Sequence, residues 1–541
     1  MTQAYTYPLL IGQLLRSALQ TSAQQRITYA DQIDLTYADL EKRVKRLGSV
    51  LSGLGLGKDA VVAVMDWDSN RYLECFFSVP MVGATLHTVN VRLSPEQILY
   101  TINHAEDDAI LVHEDFVPVL LPLLPRITRK VHLILLTDRA DAVVPTGFSG
   151  EYEALLAAAD PDFAFSEFDE NTRATLFYTT GTTGDPKGVC YSHRQLVLHT
   201  MGQLVALGPI PGNGGVHRND VYMPITPLFH VHGWGFPYAA TLLGLHQVYP
   251  GRYEPTRLLA LIEKHGVTFS HCVPTILAML LQAPESASVD LSRWKVIIGG
   301  AALPEGLARA AMARGIDVHA AYGMSETCPF LTLADMVASQ ATADTALIRT
   351  ATGKPIPMVQ LRIVDPEMRD VAKDGISSGE VVARAPWLTQ GYLKNTSGTK
   401  DLWGGGWLHT GDVGVMTPDG TLRITDRLKD VIKSGGEWIS SLALENIVST
   451  VNGVLEVAAV GVPDPRWGER PVLVLALGAV DVKDAKAEVS AAVDAAIGGG
   501  ALSKWAAPNR IYIVKALPKT SVGKIDKKLI RSMIEDGSLS E

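Results

Sequence analysis

Between Val61 and Leu136, short apolar runs alternate with longer stretches of helical period, and this alternation constrains the fold more than any other feature of the chain. Val61–Met65, Ala84–Val89, Ala109–His113 and Val131–Leu136 read as strands, with Asn70–Val82 and Pro95–His104 as helices between them. Ser94 and Gln97 form a capping box ahead of Pro95 at the first turn. Strands separated by helices pair in parallel, with the helices crossing over the sheet faces. Upstream, Leu40, Val44, Leu47, Leu51 and Leu54 recur at helical spacing behind Thr36 as N-cap. The pattern resumes with Pro255–His265 (helix), Thr268–His271 (strand), Pro274–Leu281 (helix), Val296–Ile298 (strand), Pro304–Arg314 (helix) and Val318–Ala320 (strand). From about Leu361 the runs shorten between Gly and Asp turns, which predicts antiparallel β structure. Past Asp426 a compact unit follows: a helix near Leu442–Val451, strands Val454–Val462 and Val472–Leu477, a helix Val482–Ile497, a strand Arg510–Val514 and a last helix Ile525–Glu535.

At 541 residues the chain exceeds one compact core, so at least two domains are expected. The net charge of −9 and the lack of a long basic tract argue against nucleic acid as a partner. No run of 18 apolar residues exists, so no membrane span is expected, and neither end reads as a secretory or lipidation signal. Cys75, Cys190, Cys272 and Cys328 are scattered, which predicts reduced thiols, a cytoplasmic location and neither a disulfide framework nor a structural zinc site. Cys328 reads as a packing residue.

Tyr178-Thr179-Thr180-Gly181-Thr182-Thr183-Gly184-Asp185-Pro186-Lys187-Gly188 follows the apolar approach Ala174–Tyr178. Glycines let backbone N–H groups turn toward an anion, threonines add hydroxyl donors and lysine adds a mobile charge, as a phosphate-gripping loop requires. An ordinary polar turn is the alternative. Walker spacing fails, because the position five after Gly181 is Pro186 and Lys187 is followed by Gly188.

Gly299-Gly300-Ala301-Ala302-Leu303-Pro304 opens a helix after a strand, and its small residues leave room for a flat ring. In Tyr322-Gly323-Met324-Ser325-Glu326-Thr327, the tyrosine offers a stacking face. Glu326 suggests a Mg²⁺ ligand, since a carboxylate beside a triphosphate needs a cation between them. Asp412, in Trp407-Leu408-His409-Thr410-Gly411-Asp412, could accept from both hydroxyls of a ribose. A turn, a surface charge or a cap would account for each of these alone. His230 and His232, in Pro227–Trp234, form a poor metal pair because no third ligand sits at a useful spacing. Ser521 and Lys524, in Pro518-Lys519-Thr520-Ser521-Val522-Gly523-Lys524, match S-x-x-K, but S-D-N, K-T-G and G-x-S-x-G elements are absent, which argues against serine hydrolase chemistry.

These motifs, in this order from residue 178 to 524, resemble the adenylate-forming superfamily of acyl-CoA synthetases, luciferases and peptide-synthetase adenylation domains. The resemblance covers essentially the whole chain and looks most like medium-chain acyl-CoA ligases, including 3-methylmercaptopropionate–CoA ligases. It implies an α/β fold: a large N-terminal adenylate-forming domain over residues 1–426, with two α/β subdomains and a β-rich one, a hinge at 427–431 and a small mobile α+β domain at 432–541. It implies an AMP-forming acid–thiol ligase with Mg²⁺, ATP, coenzyme A and a small carboxylic acid as partners, and leaves a homodimer open.

The residues carried over are these. Thr179, Thr180, Gly181, Thr182, Thr183, Gly184 and Lys187 hold phosphates. Gly300, Ala301, Ala302, Pro304, Tyr322, Gly323, Met324 and Ser325 surround the nucleotide, with Asp412 and Arg427 at the ribose. Thr179 and Glu326 reach the metal, and His230, Trp234, Gly300, Gly323 and Met324 line the acyl pocket. Lys524 is catalytic, with Thr179, Glu326 and His230 beside it. Lys429 is the pivot, and Lys433, Ser434, Gly435, Gly436 and Glu437 line the CoA tunnel. Acetyl-CoA synthetases place a tryptophan where Gly323 stands, so glycine implies room beyond acetate. Short-to-medium fatty acids or 3-methylmercaptopropionate are the expected substrates. Aryl-CoA ligation, loading of a carrier in trans, luciferase-like oxygenation and a non-catalytic nucleotide sensor are the alternatives.

Overall fold

The computed structural model describes residues 5–179, 185–210, 214–335, 345–435, 437–478, 480–521 and 523–539. The predicted alternation forms a seven-stranded sheet ordered Gly150–Glu151, His132–Leu136, Ala109–His113, Val61–Met65, Thr85–Thr88, Arg173–Thr179 and Lys187–Ser192. Every pair is parallel except the last, where Arg173–Thr179 and Lys187–Ser192 run antiparallel. Asn70–Met81 and Pro95–Ala105 are the expected crossovers, and the Ser94/Gln97 capping box is formed. Thr36 caps Tyr37–Gly53 through a reciprocal box with Asp39.

A nine-stranded sheet has the order Lys354–Pro355, Phe330–Leu333, Asp317–Gly323, Lys295–Ile298, Phe269–Cys272, Val221–Pro224, His246–Tyr249, Arg26–Tyr29 and Ile33–Thr36. Its centre is parallel and both edges are antiparallel. The two sheets share one apolar core that includes Leu14, Tyr37, Phe76, Phe177, Tyr238 and Trp387. Leu361 onward is antiparallel, as expected, with Gln360–Val364, Gly379–Arg384, Trp407–Met416, Trp403–Gly404 and Leu422–Arg427 in one sheet.

Sheet membership changes after Arg427. Ile432–Ser434 begins a sheet with Glu437–Ile439, Gly468–Leu477, Val454–Asp464 and Arg510–Val514, flanked by helices Ser441–Ser449, Val482–Gly498 and Lys527–Glu535. This is the small α+β domain beside the large one.

Several boundaries shift by one to four residues from the sequence reading, and three of the shifts have a plain local cause. The last helix starts at Lys527 rather than Ile525, because Ile525 bridges to Lys519 and the Asp526 side chain caps by accepting from Leu529 N–H. Pro304 precedes its helix as N-cap, so the helix begins at Glu305. The strand expected at Val318–Ala320 runs from Asp317 to Gly323, because Ala321–Gly323 gain partners in Phe330–Leu333.

Candidate active site

In a parallel sheet all carboxyl ends open onto one edge, and loops leaving that edge build the site. Asn90 follows Thr85–Thr88, His230 follows Val221–Pro224, Thr275 follows Phe269–Cys272, and Gly299–Ala302 follow Lys295–Ile298. Tyr322 and Gly323 end the strand Asp317–Gly323, and Glu326 comes three residues later. The motifs therefore sit where their strands stop.

Lys524 reaches this edge from the small domain. Its Cε lies 3.2 Å from where a Cβ on Gly300 would stand, and the Trp234 ring lies 3.7 Å from the same point. Burial, then Arg427, pull the Lys524 ammonium down to about 8, opposed by Asp412 and Glu326. His230 faces the same lysine. Burial, and then Lys524 and Arg92, hold its imidazole down to about 3, so it is neutral.

Asp412 and Arg427 are register partners on adjacent antiparallel strands, with Arg427 Nε 3.4 Å from Asp412 Oδ1. Tyr322 donates its hydroxyl to Asp412 Oδ2 at 2.7 Å. Glu326 is buried, and burial raises its pKa. Its Oε1 accepts from the Tyr392 hydroxyl at 2.6 Å, and Lys187 Nζ sits 4.7 Å from the centre of the Tyr392 ring. Thr179 closes the strand opposite Lys187. Thr180, Gly181, Thr182, Thr183, Gly184 and Gly436 lie outside the described residues. Ala301 and Ala302 are exposed at the strand-to-helix turn, with Pro304 at its end. The Ser325 carbonyl accepts from the Tyr191 hydroxyl at 2.6 Å, and Met324 N–H donates to Thr327 Oγ1 at 3.0 Å.

Gly323 has a reason to be glycine besides pocket room. A Cβ there would stand 1.6 Å from the Pro329 carbonyl oxygen. A larger residue is excluded by backbone before the question of acyl space arises.

The segment from Val231 to Gly235 is left-handed throughout, with φ of 48°, 54°, 55°, 59° and 75°. Such a run costs energy at each non-glycine residue, most of all at β-branched Val231. Tertiary bonds hold it: Asp68 accepts from Leu228 N–H at 2.9 Å, Thr88 donates to the Phe229 carbonyl at 3.0 Å, and Gln203 donates to the Trp234 carbonyl at 2.8 Å. The buried Trp234 indole lies against Gly299 and Gly300 and 5.2 Å from the His271 ring. His232 packs among the rings of Phe76, Phe177 and Tyr191. Among the described residues no three His, Cys, Asp or Glu side chains are grouped to hold a metal.

Ile432–Ser434 and Glu437–Ile439 pair antiparallel, so the Lys433–Glu437 motif falls on a β-hairpin that the local sequence pattern does not announce. Lys433 and Ser434 lie in one strand, Gly435 turns at φ +60°, and Glu437 begins the return. Its described partners are in the small domain: Gly435 N–H donates to the Trp467 carbonyl, Lys433 N–H to Glu469, and the Trp505 ring lies under Gly435. Trp467 and Trp505 are 4.6 Å apart, with the Arg466 guanidinium over one ring and the Lys504 ammonium over the other. The structure thus gathers Lys524, His230, Trp234, Gly300, Asp412, Arg427 and Glu326, and leaves the 433–437 hairpin with its tryptophans. Lys429 lies in the segment between, and the neighbouring Asp430 pairs with Arg531 at 2.8 Å. Tyr392, Asn90, Arg92 and Thr275 were not legible as site residues, since none stands in a motif.

A family model described as AMP-binding enzyme matches residues 15–393, and one described as AMP-binding enzyme C-terminal domain matches 443–524. The chain is 38% identical to a long-chain-fatty-acid–CoA ligase of Thermus thermophilus, over 93% of this chain and 90% of that one. It is 36% identical to the 3-methylmercaptopropionyl-CoA ligase of Ruegeria pomeroyi, over 98% of each. The crystal structure of an anthranilate CoA ligase in complex with anthranoyl-AMP superposes with a TM-score of 0.87 at 22% identity, over 99% of this chain and all of that one, which shows a shared fold.

Proposed function

Because the chain belongs to the AMP-binding enzyme family and aligns end to end with acyl-CoA ligases, we propose that it is an ATP-dependent, AMP-forming acyl-CoA ligase whose two half-reactions are divided between Lys524 and the 433–437 hairpin. The observation that carries this reading is the small domain's Lys524 seated against Gly300 of the large domain, facing Asp412 and Glu326. In the first half-reaction a substrate carboxylate oxygen attacks the α-phosphorus of ATP, and the bond to the β-phosphate oxygen breaks, releasing pyrophosphate. Lys524 neutralises the carboxylate and α-phosphate oxygens as they approach. Thr179, Lys187 and the loop between them hold the leaving phosphates. The segment Gly300–Ala302, Pro304 and residues Tyr322–Ser325 bound the nucleotide, and Asp412 with Arg427 takes the ribose. Asp412 keeps acceptor capacity for this beyond its bond from Tyr322.

Glu326 and Thr179 fit Mg²⁺. Both offer hard oxygen donors, and a single buried carboxylate with few protein partners suits an ion that takes most of its ligands from phosphates and water. When bound, the ion neutralises phosphate charge. In the second half-reaction residues 427–431 act as the hinge about Lys429 between a large domain 1–426 and a small domain 432–541. The hairpin Lys433–Glu437 then replaces Lys524, and the CoA sulfur attacks the acyl carbonyl carbon while AMP leaves with its oxygen. The four free thiols fit a reducing, cytoplasmic setting.

ATP–pyrophosphate exchange together with acid- and CoA-dependent AMP release tests the reading. Exchange without AMP release on CoA addition would replace it with a carrier-loading or other adenylating function.

The tryptophan pair supplies a stacking platform flanked by cations at the hairpin, suited to the CoA nucleotide. Trp467→Ala is expected to raise KM for CoA about tenfold, from a stacking loss of about 1–3 kcal/mol, with exchange unaltered. Unchanged KM would remove the platform from the CoA path.

Relatives named for a long-chain fatty acid and for 3-methylmercaptopropionate match at 38% and 36% identity, so the acyl length turns on Trp234. Its ring occupies the space over Gly299 and Gly300 and favours short-to-medium acids or 3-methylmercaptopropionate, with His230, Gly323 and Met324 completing the wall. Trp234→Gly also relieves a positive φ. It is expected to shift preference at least two carbons longer across a C2 to C12 series run beside aromatic acids and 3-methylmercaptopropionate. An unmoved profile would place the acyl chain elsewhere.

A further inference from the structure

The loop that carries Lys524 is held from two sides by large-domain residues that no motif marks. Thr520 N–H donates to the Lys524 carbonyl at 2.7 Å, Lys524 N–H donates to Thr520 Oγ1 at 3.2 Å, and Lys519 bridges to Ile525, so the loop is a closed turn with Ser521 and Gly523 at its tip. On one side buried Asn90 donates Nδ2–H to Ser521 Oγ at 2.9 Å, and Arg92 Nη1 reaches the Ser521 carbonyl at 3.4 Å. Asn90 is itself fixed, because its Oδ1 accepts from Arg92 N–H at 3.0 Å. On the other side Thr275 donates its hydroxyl to the Gly523 carbonyl at 2.7 Å. Asn90 and Thr275 stand just past the carboxyl ends of strands from different sheets, so the tip is gripped across the cleft.

We propose that Asn90 and Thr275 are positioning residues that latch the Lys524 loop to the large domain for adenylation. The proposal rests on Lys524 acting in that half-reaction. Neither side chain touches the reacting atoms. Each fixes where the lysine stands, and an error of about 1 Å at a reacting group can lower a rate about a hundredfold. The bonds join two domains, so they must break when the small domain leaves this orientation. Their loss should burden adenylation alone.

The test measures both half-reactions in Asn90→Ala, Thr275→Val, the double variant and Ser521→Ala, the last of which removes the same bond from the small-domain side without touching the large-domain core. The double variant is expected to lower kcat for ATP–pyrophosphate exchange about five- to twentyfold, with KM for ATP and acid within about twofold. Thioester formation from supplied hexanoyl-adenylate and CoA should hold or rise. Asn90→Ala and Ser521→Ala should not add when combined, since they break one bond, and Thr275→Ser should restore exchange. Full exchange in the double variant, additive effects across the Asn90–Ser521 pair, or an equal fall in both half-reactions would overturn the latch. Lys524→Ala is run alongside. If it keeps exchange, the role of the lysine itself is wrong; if it loses exchange while the latch variants keep theirs, only the latch is.

Discussion

Lys524→Ala is expected to lower ATP–pyrophosphate exchange by about a hundred- to a thousandfold, while thioester formation from a supplied acyl-adenylate stays within about twofold of the unmodified enzyme. The expectation follows from where the side chain stands. Its Cε lies against Gly300 on the large domain, while its backbone belongs to a small-domain loop. A charge delivered by one domain to a cleft in the other can serve only the step run in that orientation. The same burial that makes the charge effective makes it easy to lose. The ammonium is pulled down to about 8 by burial first and Arg427 second. Adenylation needs the protonated form, so kcat/KM for exchange should fall as pH rises through about 8, the range in which the free enzyme gives up this proton. A bound carboxylate and triphosphate favour the charged form, so kcat should persist to higher pH than kcat/KM. Equal losses in both half-reactions on substitution, or a kcat/KM flat from pH 7 to 10, would end this assignment.

Much of this architecture was legible in the sequence because it is set by local pattern. Val61–Met65 is wholly buried, since both faces of a parallel strand are covered by helices, and that is why it reads as an unbroken apolar run. Thr36 and Ser94 announce their helices because capping is chemistry among residues three apart. The motif residues were legible for a related reason: strand ends are where apolar pattern gives way to glycine and hydroxyl residues. What the sequence concealed depends on distant partners. Nothing near Arg26–Tyr29 says that it will lie parallel to His246–Tyr249. Nothing near Tyr392 points to Glu326, 66 residues away. The left-handed course at Val231–Gly235 contradicts the local preference of valine and exists because Asp68, Thr88 and Gln203 impose it from other elements. Asp412 and Arg427 lie between these cases. Asp412 is marked by its motif and Arg427 by the family resemblance, but that they face each other is a matter of register.

Glu326→Gln is expected to uncouple stability from activity, lowering exchange about a hundredfold while raising the thermal midpoint of the ligand-free protein. Glu326 is buried with the Tyr392 hydroxyl at Oε1, and burial raises its pKa in the folded state above its unfolded value. A carboxyl group raised in this way lends its stability below the unfolded pKa and withdraws it as pH climbs through the folded one. At neutral pH the ionised side chain is therefore a cost to the fold, and glutamine keeps its shape and its acceptor for Tyr392 without the charge. The gap in midpoint between variant and unmodified protein should accordingly open with rising pH and close toward acid. Activity should move the other way, because the charge that burdens the empty site is the one that suits Mg²⁺ beside the phosphates. Tyr392→Phe provides the converse perturbation: it removes the donor and leaves the charge, so it should lower the midpoint and spare more of the exchange rate. If Glu326→Gln instead melts lower at pH 8, or retains exchange within about threefold, the buried carboxylate is a structural anchor and the metal-facing role belongs to another group.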